Sequence, residues 1–273
     1  MTLYVTDLDG TLLRSDTSLS EYTVNTINRL SAKGVMFTYA TARSFASAYP
    51  LVKRLDLNCP AVTFNGVFVI DPRNGEKLIK NVYSERSASL AAKFFIKQNI
   101  PPLVYSFING EERISYLESR LENIKGYIEA RRGDKRLRPV DNFNALFDGE
   151  VFYYTVINPG DVSALDKVFT SKNGFARNIQ KDTYDDYIWY EIYNSTVSKA
   201  NAVLQVKELV GADELVCFGD NLNDISMIRA ADTGAAVSNA CDRLKALADV
   251  IIDSNNNDGV AKYIEHCEEL HRS

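Results

Sequence analysis

The sequence predicts an α/β protein in which a parallel, doubly wound sheet is interrupted by an inserted α+β domain. Three observations carry this. Apolar runs alternate with helix-periodic segments near both ends of the chain, the middle turns to aromatic-rich strand text, and polar residues recur where the terminal apolar runs stop.

Residues 3–5 read as a first strand, ending in the acidic loop 7–10. Ser20 can cap a helix in which Val24, Ile27 and Leu30 recur at helical spacing, and Gly34 stands where a left-handed C-cap belongs. VMFTYA (residues 35–40) is a second buried strand ending at Thr41, a helix covers roughly residues 45–55, and AVTFNGVFVI is a third strand. From about Ser84 the style changes. A helix (SASLAAKFFIKQ) is followed by strand-like LVYSFI and RISYLE and by a charged helix near residues 121–131. The strand VFYYTVI comes next, then a helix opened by the Pro159-Gly160 turn and a strand pair ending in DYIWYEIY. This stretch holds many of the tyrosines and the single tryptophan, Trp189, as a mainly antiparallel sheet would. The last part returns to the first style, with a helix over about residues 198–209 and strands LVCFGD, GAAVSN and DVIID. The reading is therefore a core formed by residues 1–82 and 194–273 around an inserted domain at 83–193. The polar run 254–258 reads as a loop.

Composition narrows the chemistry. With 273 residues and 45% hydrophobic content the chain can build a substantial core, and a net charge of -5 supplies no general attraction for nucleic acid or anionic membranes. No basic segment with a following apolar run opens the chain, and no stretch of about 18 uncharged apolar residues occurs, so a soluble, cytoplasmic protein is expected. Cys59, Cys217, Cys241 and Cys267 are far apart and form no CxxC pair, which suits reduced thiols used as small apolar residues. The only histidines, His266 and His271, lie in a charged tail, which removes Ser-His-Asp, Cys-His and His-ligated metal chemistry.

What remains is carboxylate, Lys and Thr chemistry. In an open parallel sheet, ligands bind beyond the carboxyl ends of the strands. There the sequence places Asp7 and Asp9, Thr41, Asn65, and Asp220 with Asn223 and Asp224. Carboxylates so gathered repel unless a cation sits between them, and an oxygen-only cluster suits Mg²⁺.

The segments DLDGTL (residues 7–12), TAR (41–43), Lys199 and GDNLND (219–224) resemble the four successive motifs of the haloacid dehalogenase superfamily in order, spacing and strand-end position. An insertion between Asn65 and Lys199 is similar to that of the Cof-type, class IIB branch. The resemblance implies a Rossmann-like parallel-sheet core with an α+β cap, and a phosphatase acting on a small phosphorylated metabolite, usually a sugar phosphate. It also implies roles. Asp7 is the nucleophile and Asp9 the general acid and base. Mg²⁺ is held by the Asp7 carboxylate, the Asp9 backbone carbonyl and the Asp220 carboxylate. Thr41 and Lys199 bind the transferring phosphoryl group with the backbone of Leu8, Gly10 and Ala42, and Asn65 reaches the phosphate or the substrate beside it. Asn223 and Asp224 orient Lys199 and the metal's waters. Asp9 disfavours the superfamily's transport ATPases, which carry Thr there, and its dehalogenases, which lack the metal set. The chain departs from the branch in carrying Ala200 and Asn201 after the lysine, where Gly is expected. Two alternatives stay open: a phosphomutase of the phosphomannomutase type, and a non-catalytic metabolite sensor.

Other residues read as structural. Arg43 is left outside the catalytic set, because a surface ion pair accounts for it at least as well as a substrate contact does. Trp189, Tyr187 and Tyr190 read as sheet core, and the basic residues Arg131, Arg132 and 135–138 as a solvated face and not a nucleic-acid patch.

Overall fold

The computed structural model describes residues 1–181 and 188–270. They form two compact units, one of Met1–Lys80 with the chain from Val197 onward, the other of Asn81–Thr196.

The first unit opens with β1 (Thr2–Thr6), α1 (Glu21–Ser31), β2 (Met36–Tyr39), α2 (Phe45–Val52), β3 (Ala61–Thr63), β4 (Phe68–Ile70) and β5 (Lys77–Lys80). Ser20 caps α1 by accepting from the Thr23 N–H, and Val24, Ile27 and Leu30 are the buried face of that helix. One expectation fails here. AVTFNGVFVI is not a single strand but the hairpin of β3 and β4, extended by β5 into a small antiparallel sheet. Phe64, Asn65 and Gly66 all have positive φ, and that reverses the chain. Asn-Gly is a turn signal, but the unbroken apolar run around it hides the reversal.

The second unit contains α3 (Glu85–Gln98), β6 (Leu103–Ile108), β7 (Glu111–Leu117), α4 (Lys125–Glu129), β8 (Leu137–Val140), β9 (Glu150–Ile157), α5 (Val162–Val168), β10 (Phe175–Lys181) and β11 (Ile188–Asn194). Its six strands run in the order β10-β11-β9-β6-β7-β8, antiparallel except for β7 with β8. The expected charged helix at 121–131 is instead an irregular 3₁₀ segment, Glu118–Ile124, leading into the five-residue α4. Arg120 leaves helical geometry and Ile124 offers no side-chain cap, so no longer helix propagates. β8 was not expected. It carries Pro139 and is tolerable as a strand because it lies at the sheet edge.

Phe95 of α3 packs 5.2 Å from Phe169 and 5.4 Å from Tyr154, centroid to centroid, in the apolar core of this unit. Tyr190 belongs to that core, with its hydroxyl on Asp166 at 2.8 Å. Trp189 packs on Tyr127, whose hydroxyl lies 3.0 Å from that of Tyr105. Tyr187 lies outside the described residues. The basic run is less solvated than expected. Arg131 stacks over the Tyr127 ring at 3.8 Å, Arg136 pairs with Asp134 and Glu112, and Arg138 with Asp148. Within this run Arg136 and Arg138 have their charges matched by neighbouring carboxylates.

The chain then returns to the first unit through α6 (Lys199–Val210), β12 (Glu214–Gly219), α7 (Ile225–Ala230), β13 (Thr233–Val237), α8 (Asp242–Lys245), β14 (Val250–Ile252) and α9 (Gly259–Leu270). The main sheet has the order β14-β13-β12-β1-β2, every pair parallel. All carboxyl ends therefore lie on one edge, and β1 sits between β12 and β2. The four cysteines are free thiols, and no described helix is long and apolar enough to cross a membrane.

Candidate active site

β1 delivers Asp7 to the carboxyl edge of the sheet, and the Asp7 N–H still bonds to the Phe218 carbonyl of neighbouring β12 at 2.9 Å. The chain then knots. The Leu8 carbonyl accepts from the N–H groups of Thr11, Leu12 and Leu13, which curls residues 8–13 into a tight loop. Gly10 has φ +75, and a Cβ there would lie 2.5 Å from Asp220 Oδ2. Only glycine lets the loop from β1 lie this close to the loop from β12. Thr11 Oγ1 completes the contact by donating to Asp220 Oδ1 at 3.2 Å.

Lys199 comes from the first turn of α6 and is 1% exposed. Its ammonium donates to Asp7 Oδ1 at 2.5 Å and to Asp224 Oδ1 at 2.6 Å. Asp224 has a second duty, since its Oδ2 accepts from the N–H groups of Asp220 and Asn221 and so shapes the β12 loop. The Ser198 side chain caps α6 by accepting from the Asn201 N–H, so Ala200 and Asn201 enter the helix without needing glycine. Gly66 lies under this helix start. A Cβ at Gly66 would sit 2.5 Å from the Ser198 carbonyl oxygen, so the Asn-Gly turn and Lys199 are packed as one piece.

Thr41 and Ala42 follow β2. The Thr41 hydroxyl accepts from the Arg43 N–H at 3.1 Å, which leaves its own hydrogen for another acceptor. Asn65 is fixed through its N–H to the Thr41 carbonyl, and its buried Oδ1 has no hydrogen-bond partner among the described residues. Asp9 points elsewhere. Both its oxygens are held by the Arg43 fork, at 2.7 and 2.6 Å, with the Asp9 side chain 48% exposed. Arg43 thus forms an ion pair, but with the residue expected to be the acid and base. Asn223 is exposed, and the contacts that open the segment after β12 are made by Asn221 and Asp224.

Asp7, Asp220 and Asp224 each offer a carboxylate oxygen, all within 4.8 Å of one another. Three carboxylates face the one ammonium of Lys199 in a largely buried place, so the cluster carries surplus negative charge when its carboxyls are ionised. Burial holds the Asp7 carboxyl well above its ordinary range, despite the opposing pull of Lys199. Burial, with Asp224 adding, pushes Asp220 up to about 7. For Lys199, burial acts against the ammonium, but Asp224 and Asp7 outweigh it and the side chain stays charged. An oxygen-only donor set with surplus negative charge fits a hard divalent cation. Asp224 is already spent on Lys199 and two N–H groups, so Asp7 and Asp220 are the side chains that would hold the ion.

A pH dependence follows from Asp220. A carboxyl at about 7 when folded and near 3.9 when unfolded favours folding fully below about pH 4, and that contribution is lost as pH rises through about 7. In chelated protein, the Tm of Asp220→Asn should therefore gain on wild type between about pH 5 and pH 8. A divalent cation should close the gap. Parallel thermal melts across that range, with and without chelator, check it.

The fold and this site define a class: hydrolases built on a parallel sheet with carboxylates at its carboxyl edge and a second unit inserted in the chain. The family model for haloacid dehalogenase-like hydrolases matches residues 4–264, and the chain belongs to that family. It is 24% identical over 281 residues to the 5-amino-6-(5-phospho-D-ribitylamino)uracil phosphatase YitU of Bacillus subtilis, covering 96% of both chains. It is 24% identical to the pyridoxal phosphate phosphatase YbhA of Escherichia coli, with 94% of this chain and 95% of that one covered. Among solved structures, the phosphatase BT1666 of Bacteroides thetaiotaomicron superposes with a TM-score of 0.77 at 20% identity, over 97% of this chain and 94% of its own. The subclass IIB sugar phosphatase BT4131 superposes at 0.73 with 21% identity, over 98% and 99%.

Proposed function

We propose that the protein is a Mg²⁺-dependent phosphatase of small phosphate monoesters, sugar phosphates and related metabolites foremost, acting through an aspartyl-phosphate on Asp7. The observation that carries this reading is the buried Lys199 clamped between Asp7 and Asp224, beside Asp220. It fixes Oδ1 of Asp7, and the reading gives the attack to the other oxygen, Oδ2.

Asp7 Oδ2 attacks phosphorus as the bond from phosphorus to the ester oxygen breaks, and a proton from Asp9 goes to the departing oxygen. Asp9 leaves the Arg43 fork for that duty. It then takes a proton from water, which attacks the phosphorus, frees the Asp7 carboxylate and yields inorganic phosphate. Thr41 and Lys199 donate to the phosphoryl oxygens, together with backbone N–H groups of the loop holding Leu8 and Gly10 and of Ala42; Asn65 is assigned to the same anion or the substrate beside it, as a donor through Nδ2. Asp7, the Asp9 carbonyl and Asp220 would hold the cation, which when bound supplies charge neutralisation of the phosphate. Asp224 holds Lys199, and Asn223 is assigned to the outer waters.

The test is phosphate release from a panel of hexose and pentose phosphates, pyridoxal phosphate, the ribitylaminouracil phosphate and a chromogenic ester, with Mg²⁺ and with chelator. Metal-dependent release from at least one metabolite is expected. Transfer to a sugar bisphosphate without net release would instead establish a mutase, and ligand binding without turnover a sensor.

A further inference from the structure

Beyond the residues that meet substrate or metal, one segment touches both loops that carry the carboxylates. It is the turn after β13. Asn239 Nδ2 donates to the Gly10 carbonyl at 2.8 Å, and the Cys241 N–H donates to the Asp220 carbonyl at 2.8 Å. Asn239 is itself held, because its Oδ1 accepts from the Asn255 N–H at 3.0 Å. Asn255 is 4% exposed and sends its side-chain amide to the Leu13 carbonyl at 3.0 Å, at the far end of the same loop. Two asparagines thus grip the loop after β1 at both ends from the carboxyl-terminal side of the sheet.

The geometry points to Asn239, held by Asn255, as a positioning residue for the metal site. The Gly10 carbonyl belongs to the peptide directly after the one that bears the Asp9 carbonyl. Gly10 has positive φ and lies against Asp220 with no room for a methyl group. Holding its carbonyl sets the plane of that peptide, and through it where the Asp9 carbonyl points. With Cys241 holding the other loop, the turn fixes the separation between Asp7 and Asp220. Thr11 bridges the loops from within, but only through a long 3.2 Å bond to Asp220 itself. Asn239 grips the backbone and competes for no ligand atom. It is exposed and touches none of the cluster's carboxylates, so a metal effect on its removal would come through position alone.

This inference rests on the metal site proposed above, and its test separates the two. Mn²⁺ binding to the metal-free protein is measured by water-proton relaxation for wild type, Asn239→Ala and Asn256→Ala, with Tm for each. Asn256 is the control: it joins the same two regions through Ser15, further along the loop from Gly10. Asn239→Ala should weaken Mn²⁺ binding by roughly 10-fold, the low end of what outer-shell contacts contribute. Its Tm should stay within a few degrees of wild type, and KM at saturating metal within about twofold; Asn256→Ala should bind Mn²⁺ like wild type. Equal binding by wild type and Asn239→Ala, or equal weakening in both variants, overturns the positioning role alone. No Mn²⁺ binding by wild type overturns the metal site and this inference together.

Discussion

Asp7→Asn is expected to lower metal-dependent phosphate release by at least about 10³-fold, the scale on which removal of a nucleophile is felt, while the protein stays folded. The reason is in the geometry. Asparagine keeps the shape and can still accept from the Lys199 ammonium that now meets Asp7 Oδ1 at 2.5 Å, but it offers no oxygen able to form a labile acyl phosphate. The variant also relieves a burden. Asp7 is buried and its carboxyl is held well above the ordinary range, so a neutral side chain removes a charge the apo fold accommodates poorly. Thermal melts of chelated protein should therefore show Asp7→Asn no less stable than wild type. Residual metal-dependent release within tenfold of wild type would remove Asp7 from the nucleophile's role.

Lys199→Met should lose activity on a similar scale and for a different reason, and here the fold should suffer. Deleting the ammonium leaves Asp7 and Asp224 facing each other without a counter-charge in a place 1% exposed at the lysine. Breaking a buried ion pair from one side costs about 3–5 kcal/mol. Asp224 Oδ1 also loses its partner, and the same side chain shapes the loop carrying Asp220. A divalent cation should return part of the lost stability without returning turnover, because it can supply charge but not the donor at the phosphoryl oxygen. Chemical denaturation with and without Mg²⁺ measures the first, and phosphate release the second. An unchanged denaturation midpoint in Lys199→Met would contradict the clamp as described.

Much of this was legible because the chemistry-bearing residues are tied to period and punctuation. The β1 apolar run followed by DLDGT, and LVCFGD followed by NLND, mark strand ends that any parallel sheet would align on one edge. Lys199 was legible only through its spacing from those two. What sequence reasoning missed depends on contacts between distant segments. Arg43 was separated from Asp9 by 34 residues, and nothing local indicates that its fork closes on that carboxylate. The run 254–258 looked like a loop, yet Asp258 accepts from Arg14, Ser20 and Thr23, and Asn255 reaches Leu13. Polarity was visible there, but its partners lie more than 230 residues away. The hairpin hidden in AVTFNGVFVI and the short α4 were misread for local reasons: an apolar run without a clear period leaves strand and turn competing, the charged stretch at 121–131 lacks a cap, and backbone angles at Asn65, Gly66 and Arg120 decide.

The order of strands in the main sheet has a consequence for how the chain comes to be folded. β1 leaves the ribosome long before its neighbour β12, which is more than 200 residues behind it, so the strand that delivers Asp7 waits with one side unpaired. The unit Asn81–Thr196 is one uninterrupted stretch and has its own aromatic core. It can complete itself while the earlier segment is still an exposed apolar edge of the kind that invites misassociation. Nascent chains stalled after residue 196 should thus hold a protease-resistant middle and a sensitive amino-terminal segment, and catalytic competence should arrive only with the final strands, late and all at once.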